Sequence, residues 1–319
     1  MFNSRNKSLF RCLDLQSGKP CPIPDKTVLA LGTFDGVHIG HRELLLKAVE
    51  VTKDRCRIGE NTRSGVFCFS FPPMDILSED PPKHITTLDQ KLSYMAELGV
   101  EVAFVADFLG MRDMSAADFI DFLISELSSA SVVCGFNFRF ARRGEGNAAL
   151  LMEKFGENAF VIQPVLYGDE PCSSSRIRTA IAGGDMKSAA EMLGRPFSVV
   201  GKVIHGKHLG REMGIPTINI AFSEKSVIPR LGIYVSSVSV DGAEYAAVSN
   251  IGKRPSVENT NVPNCETHIL DYNGDLYGRE ATVKLYKFLR DEEKFSSIEK
   301  LRSAILSDEQ AARKYFESL

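Results

Sequence analysis

The feature that most limits what this chain can fold into is a change of hydrophobic period partway along it. In the first half, short apolar runs rich in Val and Phe at residues 28–31, 66–70, 100–105, 131–135 and 160–163 alternate with helical patterns at 43–52, 88–98, 116–127 and 148–155. Leu88, Leu92, Met95 and Leu98 fall on one face of the second helical pattern, and Phe119, Phe122, Leu123 and Leu127 on one face of the third. Repeated strand–helix alternation predicts an α/β fold with a parallel sheet covered on both sides. Ligands of such sheets sit beyond the C-terminal ends of the strands.

After residue 187 the pattern changes, and residues 197–204, 217–221, 232–240, 245–251, 266–271 and 281–288 read as strands, several alternating in polarity. Asp241-Gly242 and Asn273-Gly274 are turn signals between them, the second a strong hairpin marker. Strands spaced this closely predict a small antiparallel β-barrel, followed by two C-terminal helices at 297–306 and 308–316. The stretch 182–195, with Gly183-Gly184 and a short helix, reads as the connection and divides the chain into domains 1–184 and 185–319. A chain of 319 residues is long enough for two separate cores.

Within the first half, Leu29 to His41 reads LALGTFDGVHIGH, an apolar strand entering a glycine-rich turn that opens a helix near Gly40. His38 and His41, at that helix N-terminus, can both face one bound triphosphate, which the helix N–H groups and dipole also favour. Gly32, Gly36 and Gly40 let the chain approach phosphates without a Cβ in the way. The flanking Phe34-Asp35-Gly36 sets the motif apart from a turn with two solvent histidines. Such a site suits nucleotidyl transfer, in which charge builds on the α-phosphate and pyrophosphate leaves.

Two further clusters point the same way. Gly135-Phe-Asn-Phe-Arg-Phe140, followed by Arg142, Arg143, Gly144 and Gly146, leaves an apolar strand for a basic loop. Asn137 there suits a hydrogen bond to ribose or phosphate, and a purely structural loop fits the same residues. Ser173-Ser-Ser-Arg-Ile-Arg178 precedes a helix. Ser174 either caps that helix or binds phosphate, and Arg178 either neutralises a triphosphate or lies on the surface.

The second half carries Gly201-Lys-Val-Ile-His-Gly-Lys-His-Leu-Gly-Arg-Glu-Met-Gly-Ile-Pro-Thr-Ile-Asn219. Its start nearly matches a P-loop, but His208 stands where the hydroxyl ligand of Mg²⁺ belongs, and the segment begins in a strand. The P-loop reading is rejected. What remains is a glycine-rich flap (Gly201, Gly206, Gly210, Arg211, Gly214) ending in Pro216, Thr217 and Asn219. Thr217 and Asn219 point to one face of a strand and offer hard oxygens suited to Mg²⁺ on phosphates. The alternative is a hairpin whose Thr and Asn serve local backbone.

Taken together, the stretches GTFDGVHIGH, GFNFRF and SSSRIR resemble the adenylyltransferase half of the bacterial bifunctional riboflavin kinase/FAD synthetase family. The glycine-rich span resembles its flavokinase domain, in which a GxPTxN motif holds Mg–nucleotide. The resemblance runs from about residue 15 to 317, with motifs in family order. It implies a Rossmann-like HIGH-type nucleotidyltransferase followed by a β-barrel flavokinase. It further implies that ATP is the co-substrate, that riboflavin becomes FMN in the second domain, and that FMN becomes FAD in the first. By the same resemblance, Gly32, Phe34, Asp35, Gly36, His38, His41, Asn137, Ser174 and Arg178 belong to the adenylyltransferase ATP site. Glu266-Thr-His-Ile-Leu-Asp-Tyr-Asn-Gly-Asp-Leu-Tyr-Gly278 matches the family's strand and turn, which nominates Glu266 as the base for the riboflavin hydroxyl. Asn250-Ile-Gly-Lys-Arg-Pro255 resembles its NIGxRP loop. One departure stands out: Phe69-Ser-Phe-Pro-Pro-Met-Asp75 lacks the usual histidine between the prolines, so no flavin contact is carried over there.

Composition excludes other classes. A net charge of −3 argues against a broad nucleic-acid surface. No stretch approaches the roughly 18 apolar residues that span a bilayer. Seven cysteines, scattered and without CxxC, read as reduced thiols of a cytoplasmic protein. The HIGH tetrapeptide also occurs in class I aminoacyl-tRNA synthetases, but no KMSKS-like lysine loop follows it. A single-function nucleotidyltransferase would leave residues 197–290 unused, and a non-catalytic flavin-binding module would not need Glu266 or the histidine pair. Nothing in the sequence sets the oligomeric state.

Overall fold

The computed structural model describes residues 11–14, 25–204, 215–240, 242–253 and 263–318. The chain forms two compact units. One is built from residues up to 82 together with 86–173; the other from 174 to the C-terminus with the short segment Lys83–Ile85.

The first unit is a parallel sheet of six strands: β1 (Arg11–Asp14), β2 (Lys26–Leu31), β3 (Thr62–Phe69), β4 (Val102–Ala106), β5 (Ser129–Gly135) and β6 (Ala159–Ile162). Their order is β1-β4-β3-β2-β5-β6. Helices α1 (Ile39–Arg57), α2 (Leu88–Glu97), α3 (Ala116–Ser125) and α4 (Ala148–Phe155) connect them. Alternation along β2 splits its side chains between two cores. Val28 and Ala30 pack with Leu45, Ala48 and Met95 of α1 and α2, while Leu29 and Leu31 pack with Phe119, Leu123 and Leu151 of α3 and α4. This is the doubly covered parallel sheet expected from the pattern. β1 was not expected; it joins the edge beside β4 in parallel register. The chain runs outward from β2 through β3 and β4, then returns to β5 on the other side of β2. That reversal opens a crevice at the C-terminal ends of β2 and β5.

The second unit begins with α5 (Ser174–Gly183) and α6 (Met186–Leu193) and continues into β7 (Phe197–Lys202), β8 (Thr217–Ala221), β9 (Gly232–Val240), β10 (Ala243–Lys253), β11 (Pro263–Ile269) and β12 (Glu280–Arg290). The stretch read as a connection thus holds a packed helix, α6, with Met186, Ala189, Met192 and Leu193 buried. The six strands pair antiparallel in the order β7-β12-β9-β10-β11-β8. A bridge between Ile204 and Asn219, with the Ile204 N–H donating to the Asn219 carbonyl at 2.9 Å, ties the two edges into the expected barrel. Gly201 belongs to this closure, since a Cβ there would lie 2.8 Å from Ile220 Cγ2.

Two expectations are corrected. Asn273-Gly274 does not close a hairpin, because β11 pairs with β10 and β8 whereas β12 pairs with β9 and β7. The turn there belongs to a longer crossing, and Gly274 makes room for the ring of Tyr272. The hairpin is the one between β9 and β10, where Val240 faces Ala243 and Gly242 has φ of 81°. The chain also ends in one helix, α7 (Ile298–Glu317), rather than two. Asp308 does not start a second helix; its carboxylate is buried and bound to Arg290. α7 lies on the barrel, with Ala312, Tyr315 and Phe316 packed against Val235, Val248 and Leu270.

Candidate active sites

Beyond the end of β2, residues 32–37 form a strained turn. Phe34, Gly36 and Val37 have φ of 53°, 83° and 41°. A β-branched or aromatic residue in this region costs about 1–3 kcal/mol, so the surroundings must hold it. Phe34 and Val37 are fully buried, and the Val37 N–H donates to the Phe34 carbonyl at 3.1 Å. The buried carboxylate of Asp35 accepts from the backbone N–H and hydroxyl of Thr86 at 3.2 and 3.3 Å. The Gly36 N–H in turn donates to the Thr86 hydroxyl at 3.0 Å.

The turn delivers His38 to the N-cap of α1, where its Nδ1 accepts the His41 N–H at 3.3 Å. In the neutral ring that bond leaves the proton on Nε2, which becomes the imidazole's donor. The two histidine rings stack at 3.6 Å, and Phe34 meets His41 edge-on at 5.3 Å. Gly40 is needed by the ring itself, since a Cβ there would lie 3.2 Å from His38 Cε1 and Nδ1. A donor imidazole, a stacked partner and the open N–H groups of a long helix make this end of the crevice a cradle for an anion. Asn137 stands exposed in the turn after β5, the strand beside β2. Ser174 and Arg178 stand on α5, in the other unit; the helix starts at Ser174 itself, and Arg178 Nε donates to the Lys83 carbonyl at 2.5 Å.

In the barrel, Asn219 lies directly opposite Glu266 and Thr217 opposite His268. The Thr217 hydroxyl donates to Glu266 Oε1 at 2.8 Å. Asn219 is buried, its Oδ1 accepting from Asn264 Nδ2 at 2.6 Å and its own Nδ2 buried without a partner. If both amides turn over, their mutual bond survives and an oxygen of Asn219 takes the orphaned place. A cavity of about 600 Å³ separates this face from α7, walled by Ile233, Val248, Leu301 and Ile305 and reached by Thr217 and Glu266. Arg290 and Asp308 close one side as a two-bond pair, at 3.1 and 2.7 Å, that holds the guanidinium above its usual pKa. A second cavity of about 330 Å³ is lined by Val203, Pro216, Thr217, Tyr272, Asp275 and Tyr277. Thr217 borders both cavities. Pro216 is anchored through its carbonyl to His268 Nδ1 at 2.8 Å. Gly206, Gly210, Arg211 and Gly214 lie outside the described residues.

Sequence reasoning missed Thr86, Asn264, His268 and Lys91. Lys91 was legible as a charged residue on the apolar stripe of α2, three after Leu88 and four before Met95. It is 5% exposed, and its Nζ donates to the carbonyls of Thr33 and Phe69, each at 3.2 Å.

Comparison with known proteins agrees with both halves. A family model described as FAD synthetase matches residues 21–176, and one described as riboflavin kinase matches 193–316. The bifunctional riboflavin kinase/FMN adenylyltransferases of Listeria monocytogenes and Bacillus subtilis are each 33% identical, covering 92% of this chain and 93% and 94% of their own. The Escherichia coli protein of that name is 36% identical, covering 91% of this chain and 92% of its own. A crystal structure from Streptococcus pneumoniae, called a macrolide-efflux protein, superposes with a TM-score of 0.83 at 27% identity, over 95% of this chain and 98% of that one. Among the described residues, no helix of this chain is long and apolar enough to cross a membrane. Two catalytic architectures in one chain, matched along almost their full length, place this protein in the bifunctional riboflavin kinase/FMN adenylyltransferase family.

Proposed function

We propose that the chain makes FMN in the barrel and FAD in the crevice, using ATP both times, with residues 185–319 serving as the kinase and 1–184 as the adenylyltransferase. The observation that carries the kinase reading is Thr217 on the shared wall of two cavities, bonded to Glu266. Riboflavin places its ring in the larger, apolar cavity, and ATP occupies the smaller one. Glu266 takes the proton from the 5′-hydroxyl as its oxygen bonds to the γ-phosphorus and ADP leaves. Thr217 and Asn219 are the residues that would hold Mg²⁺; their hard oxygens and the orphaned amide position of Asn219 fit it. Held there, Mg²⁺ would neutralise charge on the phosphates.

In the crevice the FMN phosphate attacks the α-phosphorus of ATP and pyrophosphate leaves, so no protein nucleophile is needed. His38, His41 and the α1 N-terminus stabilise the charge that develops, and Asn137 contacts the nucleotide. Use of ATP and the unbridged thiols of Cys56, Cys68, Cys134 and Cys265 support a reducing cytoplasmic setting. The test is direct: purified protein is incubated with Mg-ATP and either riboflavin or FMN, and the flavins are separated by chromatography. Riboflavin should yield FMN and then FAD; failure to form FMN sinks the kinase reading, and failure to convert supplied FMN sinks the other.

A further inference from the structure

Among the described residues, Lys91 is the one buried cation the reaction scheme above does not use. It leaves the first turn of α2, where Thr87 and Gln90 form a capping box, and runs beneath the ends of β2 and β3. Thr33 and Phe69, whose carbonyls it binds, lie where these neighbouring strands stop pairing; the last contact between them, Gly32 N–H to the Phe67 carbonyl, is already 3.4 Å. Lys91 therefore takes over from the sheet at the point where the strained turn begins. Thr86, just before the same helix, holds the other side of the turn through Asp35 and Gly36. One short stretch, residues 86–91, thus fastens the loop at both ends.

The charge matters as well as the bonds. Among the described residues no carboxylate pairs with Lys91, so its ammonium is buried on two neutral oxygens. Such a charge is costly without a counter-ion. The neighbouring Cys68 senses it: burial pushes that thiol up, and the Lys91 charge works in the opposite direction.

We propose that Lys91 is a positioning residue for adenylyl transfer, bracing the turn through Thr33 and Phe69 and supplying a buried positive charge whose counter-ion is the polyphosphate of bound ATP. This rests on the crevice being the adenylyltransferase site. Binding of the nucleotide then relieves an unpaired charge in the free protein, and part of that gain holds the turn in the geometry the reaction needs.

The test uses the full chain with Lys91→Met, Lys91→Gln and Lys91→Arg. FMN formation from riboflavin, measured in the same preparation, reports on folding and on the unit not altered. Lys91→Met should lower kcat for FAD formation from FMN by about 10²-fold, the usual effect of misplacing a reacting group by about 1 Å. Its kinase rate should be unchanged. Lys91→Gln retains N–H donors without charge and should raise KM for ATP more than it lowers kcat. Lys91→Arg should recover most of both. If Lys91→Met makes FAD at the wild-type rate, or if Lys91→Arg is as poor as Lys91→Met, the proposal is overturned. Should Lys91→Met not fold, the Gln and Arg variants decide on the same criteria. Failure of the wild-type protein to convert FMN would instead remove the reading on which the proposal rests.

Discussion

Thr217 donates its hydroxyl to Oε1 of Glu266 at 2.8 Å, diagonally across the β8–β11 pair. Among the described residues the Glu266 carboxylate makes no other hydrogen bond, so Oε2 is left for an incoming hydroxyl. Thr217 thus fixes the carboxylate while bordering both cavities. Glu266→Gln keeps the shape and removes the basic oxygen. Kinase turnover should fall by about 10²–10⁴-fold, with riboflavin affinity little changed. Supplied FMN should still become FAD. Kinase turnover close to wild type in this variant would show that Glu266 is not the base.

Asn264 holds the Asn219 amide at 2.6 Å without reaching either large cavity wall. Loss of such a supporting bond typically weakens metal binding by about 10–100-fold. Asn264→Ala should raise the Mg²⁺ concentration needed for half-maximal kinase activity by that factor. Direct titration with Mg²⁺ and ADP, followed calorimetrically, should show the same weakening. An unchanged metal dependence would leave Asn264 a packing residue.

The His38 ring both caps α1 and faces the crevice, and two substitutions separate these roles. Asn is as good an N-cap as any side chain, whereas Ala costs about 1 kcal/mol of helix stability. His38→Asn should melt close to wild type and His38→Ala lower, while both lose FAD formation and keep the kinase. Retained FAD formation in His38→Asn would reduce the histidine to a cap.

Burial raises the thiols of Cys134 and Cys265 to about 11, whereas Cys56 is exposed. At pH 8 a small alkylating reagent should modify Cys56 in the native protein and spare Cys134 and Cys265, which are almost wholly without thiolate. Denaturant should make all three reactive, and peptide mass mapping reads the difference. Because the thiolates of Cys134 and Cys265 form only as pH climbs toward 11, raising pH should speed labelling of this buried pair only near that value.

Much of this was legible because local period and global fold agree. The alternation of strands and helices placed β2, α1 and the histidines correctly, and Thr217 and Glu266 were readable from motifs on strands that do pair. The misses share a cause: they concern long-range partners. Asn273-Gly274 has the chemistry of a tight turn, yet β12 finds its partners in β7 and β9, a choice made by barrel closure. The break expected before Asp308 vanishes because Arg290, on another element, satisfies that carboxylate within a continuous helix. Lys91 was not singled out because its partners, Thr33 and Phe69, are backbone carbonyls that no side-chain pattern announces.

The common border formed by Thr217 has a consequence for inhibitor design. Two ligands that meet at one residue can be joined into a single molecule, and association entropy is then lost once instead of twice. A flavin linked through its ribityl chain and a short polyphosphate to adenosine would reach from one chamber into the other past that hydroxyl. Its affinity should exceed that of either half by orders of magnitude only if the tether matches the span, so a ladder of phosphate lengths would act as a ruler for the distance between donor and acceptor.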